Sequence, residues 1–93
     1  MIRYNGRVQG SDGNAIVGAT IAVSDYYNGV LVDLYQEDGV TPFANPVTTD
    51  SDGLYYFKIN AGRYNFTVLK DGIEANEFDV NIMAMESIFV CAF

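Results

Sequence analysis

The run Thr49-Asp50-Ser51-Asp52-Gly53-Leu54-Tyr55-Tyr56-Phe57-Lys58-Ile59-Asn60-Ala61-Gly62-Arg63-Tyr64 holds two reversals of chain direction around one strand. A Gly after Asp supplies positive φ without steric cost, so Asp50 to Gly53 reads as a turn. From Leu54 the pattern has period two, with Tyr55, Phe57 and Ile59 on one face of a half-buried strand. Asn60 to Arg63 turns the chain again into Tyr64 to Lys70. Tyr64 stands just past Gly62, where its hydroxyl can tie the strand start to nearby backbone.

Working outward, the same rhythm recurs. Ile2, Tyr4, Gly6 and Val8 alternate with Arg3, Asn5, Arg7 and Gln9, and Gly10 to Asn14 breaks that strand. Gly18 to Val23 follows, with Ala19, Ile21 and Val23 inward. Asn28-Gly29 suits a type I′ hairpin turn, and Asp71-Gly72 is a second hairpin signal. A third strand is expected over Val30 to Tyr35, a long non-periodic segment over Gln36 to Asn45, and a short edge strand over Pro46 to Thr49. The inner faces are expected to include Ile21, Val23, Val32, Leu34, Tyr55, Phe57, Phe66, Val68, Phe78 and Val80. Only Ala84-Met85-Glu86-Ser87 could support a helix. The fold class is therefore all-β, an antiparallel sandwich or small barrel with seven to nine short strands at turn spacings of about 8 to 12 residues.

Ninety-three residues make a single domain, 1–93, with 76–93 read as a docking or strand-adding segment. The net charge is −7, and the five Lys and Arg residues are scattered, so no basic stripe offers itself to phosphates. Neither nucleic acid nor an anionic membrane is an expected partner. Met1-Ile2-Arg3-Tyr4-Asn5-Gly6 enters a strand pattern without an apolar stretch of about 7 to 15 residues, which points to folding in a cytoplasm. No run approaches the roughly 18 apolar residues that span a bilayer.

Chemistry-bearing motifs are sparse. Asp50-Ser51-Asp52-Gly53 starts like a calcium loop, but a strand runs where the bidentate Glu should stand, so a turn is expected. With no His and one Cys the chain lacks the ligands zinc prefers, and a Ser-His-Asp triad is impossible. Cys91 reads as a small side chain buried in an apolar strand. Asn65-Phe66-Thr67 has the form of a glycosylation acceptor but no accompanying secretory signal. No cofactor, no metal and no enzymatic activity are expected.

Gly6-Arg7-Val8, Asp12-Gly13, Gly18-Ala19-Thr20-Ile21, Thr49 to Gly53 with Tyr55 and Phe57, and Gly62-Arg63-Tyr64 occur in an order that resembles the carboxypeptidase regulatory-like and transthyretin-like sandwich module, which implies a small antiparallel β-sandwich of prealbumin or Ig-like type. Leu34-Tyr35, Asp38-Gly39-Val40-Thr41-Pro42 and Asn45-Pro46-Val47-Thr48 resemble the version found in structural proteins of tailed bacteriophages. The resemblance implies a non-enzymatic virion component, an accessory or adaptor protein docked on tail, collar or capsid after synthesis in the host cytoplasm. The implied partners are other virion structural proteins, in a homo-oligomer or multi-copy assembly. Lys58 and Lys70 fall outside the early strand that supplies the isopeptide Lys of some pilus modules. The alternative is a ligand-binding adhesion module that recognises host-surface carbohydrate or protein through loop aromatics. Candidate interaction residues are Tyr26, Tyr27, Phe43, Phe89 and Phe93. The last two lie in Ser87 to Phe93, which is apolar on both strand faces and suits a subunit contact.

Overall fold

The computed structural model describes residues 1–82 and, as backbone, residues 88–92. Among these residues nine strands form two sheets: β1 Ile2–Gln9, β2 Thr20–Asp25, β3 Leu34–Tyr35, β4 Pro42–Phe43, β5 Val47–Thr48, β6 Leu54–Ile59, β7 Gly62–Lys70, β8 Ile73–Ile82 and β9 Ile88–Ala92. One sheet has the order β4-β3-β6-β1-β9 and the other β5-β2-β7-β8. All pairings are antiparallel except β1 with β9, which run parallel with Gly6 opposite Phe89 and Val8 opposite Cys91.

The core follows from the alternation. Tyr4, Val8, Tyr55, Phe57 and Ile59 face inward from one sheet, and Ile21, Val23, Phe66 and Val68 from the other. The Tyr4 ring stacks on Phe57 at 5.4 Å and meets the edge of Phe66 at 5.1 Å, which locks the sheets together through paired aromatics. Gly6 lies under the Tyr55 ring; a Cβ there would come within 2.1 Å of it. Thr49, a buried polar side chain, donates its hydroxyl to Ile16 O at 2.7 Å and accepts Ala19 N–H at 2.9 Å, so its burial leaves no bare hydroxyl.

Two turns behave as their residues dictate. Asp71 and Gly72 both have positive φ, 52° and 80°, and join Lys70 to its partner Ile73 in a two-residue hairpin. Tyr64 donates its hydroxyl to Asn60 O at 2.7 Å, closing the corner ahead of β7.

Other expectations are corrected. The turn at Asn28-Gly29 is not type I′, because Gly29 alone takes positive φ and its N–H reaches back to Asp25 O at 2.9 Å. The Asp25 carboxylate accepts the N–H groups of Tyr27 and Asn28, so this local side-chain cap replaces the tight hairpin. The strand expected over Val30 to Tyr35 shrinks to Leu34–Tyr35, since the chain crosses between sheets there: Val32 N–H bonds Val23 O of β2, while Leu34 already pairs with Phe43. Asn45 fills the gap, donating its amide to Val23 O and Val32 O, both at 2.8 Å, and accepting Val23 N–H at 3.1 Å. Part of the segment expected to be irregular is the β3–β4 hairpin, whose turn is held by Asp38 accepting the N–H groups of Val40 and Thr41.

The largest correction concerns Phe78. Between Tyr64↔Val80 and Phe66↔Glu77 the ladder takes two steps on β7 and three on β8, a β-bulge. Asp79 within it has φ 58°. The extra residue resets the alternation, so Val80 stays partly buried against the core while Phe78 is 70% exposed. The segment Ala84 to Ser87 lies outside the described residues, as do Phe93 and the side chains of β9.

Candidate interaction site

The bulge brings together residues from three parts of the chain. Arg63, the second residue of β7, points away from the core toward Asp79 and forms a paired contact, Nε to Oδ1 and Nη2 to Oδ2, both at 2.6 Å. Its Nη1 donates to the Tyr27 hydroxyl at 3.2 Å. The guanidinium lies over the Tyr26 ring at 4.3 Å and the Tyr27 ring at 5.7 Å, and those rings meet edge to face at 5.2 Å. Asn65 accepts Asp79 N–H at 3.0 Å, which satisfies the amide that the bulge takes out of the ladder. The result is a braced platform with Tyr27 75% exposed and Phe78 beside Asp79 on the bulge.

Electrostatics agree with the geometry. The side-chain bonds from Arg63 hold the Asp79 carboxyl below the usual carboxylate range, and the same bonds, with Tyr27, raise the guanidinium above its ordinary value. Both groups keep their charge at any ordinary pH. Arg63 fixes Tyr27 and Tyr26 as ring surfaces, and an immobilised aromatic loses little entropy on contact with a partner.

Tyr26 and Tyr27 are therefore brought together, but Phe43 is elsewhere. It sits on β4 of the other sheet, half-buried, with its ring edge-on to Tyr56 at 5.6 Å, and Arg3 covers Tyr56 at 4.8 Å while pairing with Glu37. Packing on its own sheet explains the difference. Phe89 lies on β9, paired through its backbone with Gly6 of β1. Sequence reasoning missed Arg63, Asp79 and Phe78 as site residues; an Arg at the start of a strand and a Phe-Asp pair in its hairpin partner carry no local sign of meeting.

Four acidic side chains elsewhere serve turns. Asp50 Oδ1 accepts the N–H groups of Asp52 at 2.8 Å and Leu54 at 3.0 Å, Asp12 accepts from Asn14, and Asp25 and Asp38 cap their own loops. Among the described residues no group of three His, Cys, Asp or Glu could hold a metal ion. No described helix is long and apolar enough to cross a membrane.

The carboxypeptidase regulatory-like domain profile matches residues 4–87, nearly the whole sandwich. The chain belongs to that family. Comparison with curated proteins gives no match. Among solved structures it is similar to BcpA, the major pilin subunit of Bacillus cereus, at 17% identity and a TM-score of 0.53, covering 97% of this chain and 27% of the pilin. A variant of that pilin gives 16% identity and a TM-score of 0.55, with 97% of this chain and 28% of the other covered. The chain thus spans about a quarter of the pilin's length. At such identity the likeness is one of fold alone.

Proposed function

We propose that this domain is a non-enzymatic structural module of a multi-copy assembly, an accessory or adaptor protein docked on the tail, collar or capsid of a tailed bacteriophage. It folds in the host cytoplasm and works on the virion. The observation that carries the reading is how the polar chemistry is used: carboxylates close turns, Thr49 and Asn45 satisfy backbone, and the exposed aromatic platform is braced by a neutralised Arg–Asp pair. Tyr, Phe and Arg presented rigidly at a surface are the side chains that dominate protein interfaces. The phage setting is supported by the sequence words at Leu34-Tyr35, Asp38 to Pro42 and Asn45 to Thr48. Light scattering and gradient sedimentation of the purified protein, alone and with virions assembled without it, test the proposal. Saturable co-sedimentation is the expected outcome. Absence from gradient-purified virions of the phage that encodes it would overturn the reading.

A second reading is favoured by the exposure of Tyr27: a ring pinned at its hydroxyl by Arg63 can also stack on a sugar. In that case Tyr27→Ala abolishes tyrosine fluorescence changes on titration with neutral host-surface oligosaccharide, and a wild-type protein that shows no change excludes it.

A further inference from the structure

β8 is an outer strand of its sheet, and among the described residues it is paired only with β7. Ten residues, Ile73–Ile82, therefore present one row of backbone N–H and C=O groups away from the sheet, a template on which another strand can add. The charge of this edge is one-sided. Glu74, Glu77 and Asp79 lie on the strand and Asp71 in the turn before it, while β8 has no Lys or Arg. On β7, Arg63 is held by Asp79, which leaves Lys70 at the hairpin end. Exposed apolar side chains punctuate the carboxylates, Ile73 at 62% and Phe78 at 70% exposure.

These features select among occupants. A second copy's β8 would bring the uncompensated Glu74 and Glu77 of two strands together with no Lys or Arg on either strand, and crowding like charges along one ladder is destabilising. The same carboxylates attract a strand of opposite sign, so one device both rejects self-association and chooses the partner. Phe78 supplies a register mark, because the bulge that turns it outward is held at Asp79 by Asn65 and Arg63 of β7.

We propose that β8 receives, as a fifth strand of the four-stranded sheet, an extended segment of a partner protein that carries Lys or Arg and an apolar residue that packs on Phe78. Main-chain bonds hold the segment, the carboxylates set its charge, and Phe78 sets its register. This names the partner chemistry for the assembly reading and rests on it.

The probe is a ten-residue peptide alternating Lys with Val and Thr, with one central Leu, and its twin in which every Lys is Glu. Each is titrated into the isotopically labelled domain while amide shifts and hydrogen exchange are followed. The Lys peptide is expected to slow exchange about tenfold at the β8 amides not bonded to β7, with the Glu twin inert at the same concentration. The double substitution Glu74→Lys, Glu77→Lys should reverse the preference, and Phe78→Ala should weaken the Lys peptide about fivefold or more. Equal binding of both peptides, or binding without protection of β8, overturns the proposal. If the peptides fail while the domain still co-sediments with virions, this inference falls and the assembly reading stands. Protection of β8 without co-sedimentation leaves a basic-strand acceptor and removes the virion role.

Discussion

Phe57 is fully buried, with Tyr4 stacked at 5.4 Å and Phe66 edge-on at 6.0 Å. Phe57→Ala should cost about 3 to 5 kcal/mol in urea unfolding, the transfer loss plus the cavity left between two sheets. A loss below about 1 kcal/mol would show that the ring contributes little to the core. Single carboxylates act differently, through pH. The Thr41 hydroxyl and the Thr41 and Val40 N–H groups hold the Asp38 carboxyl down to about 2, and Asp12 and Asp79 are lowered by Asn14 and Arg63. A lowered folded-state value means that the unfolded chain binds the proton more tightly, so this stability is present above about pH 4 and lost as pH falls toward 2. The melting temperature should hold from pH 7 to about 5 and fall modestly below 4, since all three carboxylates are exposed and screened by solvent. A flat profile down to pH 2 would show these carboxylates idle, and Asp38→Asn should shrink the acid-dependent part of the drop.

At the scale of elements, turns and strands divide by how local their causes are. Gly53 ends the Asp50 turn with φ 71°, and an added Cβ would meet Val8 O at 2.5 Å, the same backbone whose Val8 N–H donates to Gly53 O. Gly13 has φ 85° with open space around it. Both Ala substitutions carry backbone strain, but Gly53→Ala must also push β1 away and should cost about 1 to 3 kcal/mol more than Gly13→Ala by thermal unfolding. Equal losses would mean that β1 yields freely. The alternation that placed Ile21, Val23, Tyr55, Phe57, Phe66 and Val68 inward was legible because a pleat has period two wherever the ladder is regular. It failed at Phe78, where a bulge inserts one residue, and at Val30 to Asp33, where the chain leaves one sheet for the other.

For the whole molecule, the test lies at the β1 edge. The family profile ends at residue 87, and β9 adds beyond it as the parallel neighbour of β1. Removing residues 87–93 should leave a soluble β-rich domain, since the two sheets and their aromatic contacts are built from β1 to β8. It should also lower the melting temperature, because β1 becomes an edge. Circular dichroism checks both, and the shortened chain should fail to dock on virions if β9 contributes to assembly. Outright unfolding would instead make β9 part of the folding unit, with docking left to the β8 side.

The sequence by itself determined the strands near Tyr4, Ile21, Phe57 and Phe66, the turns at Asp50 and Asp71, and the corner at Tyr64, because each depends on neighbours within a few residues. Only the tertiary structure decided the rest. Asn45 bonds Val23 across 22 positions, Arg63 meets Asp79 across 16 and Tyr27 across 36, and β9 lies parallel to β1 at the opposite end of the chain. These contacts depend on which strands become neighbours and in what register. A one-residue bulge that no local propensity marks was enough to turn Phe78 outward and Asp79 toward Arg63, and so to build the exposed aromatic platform.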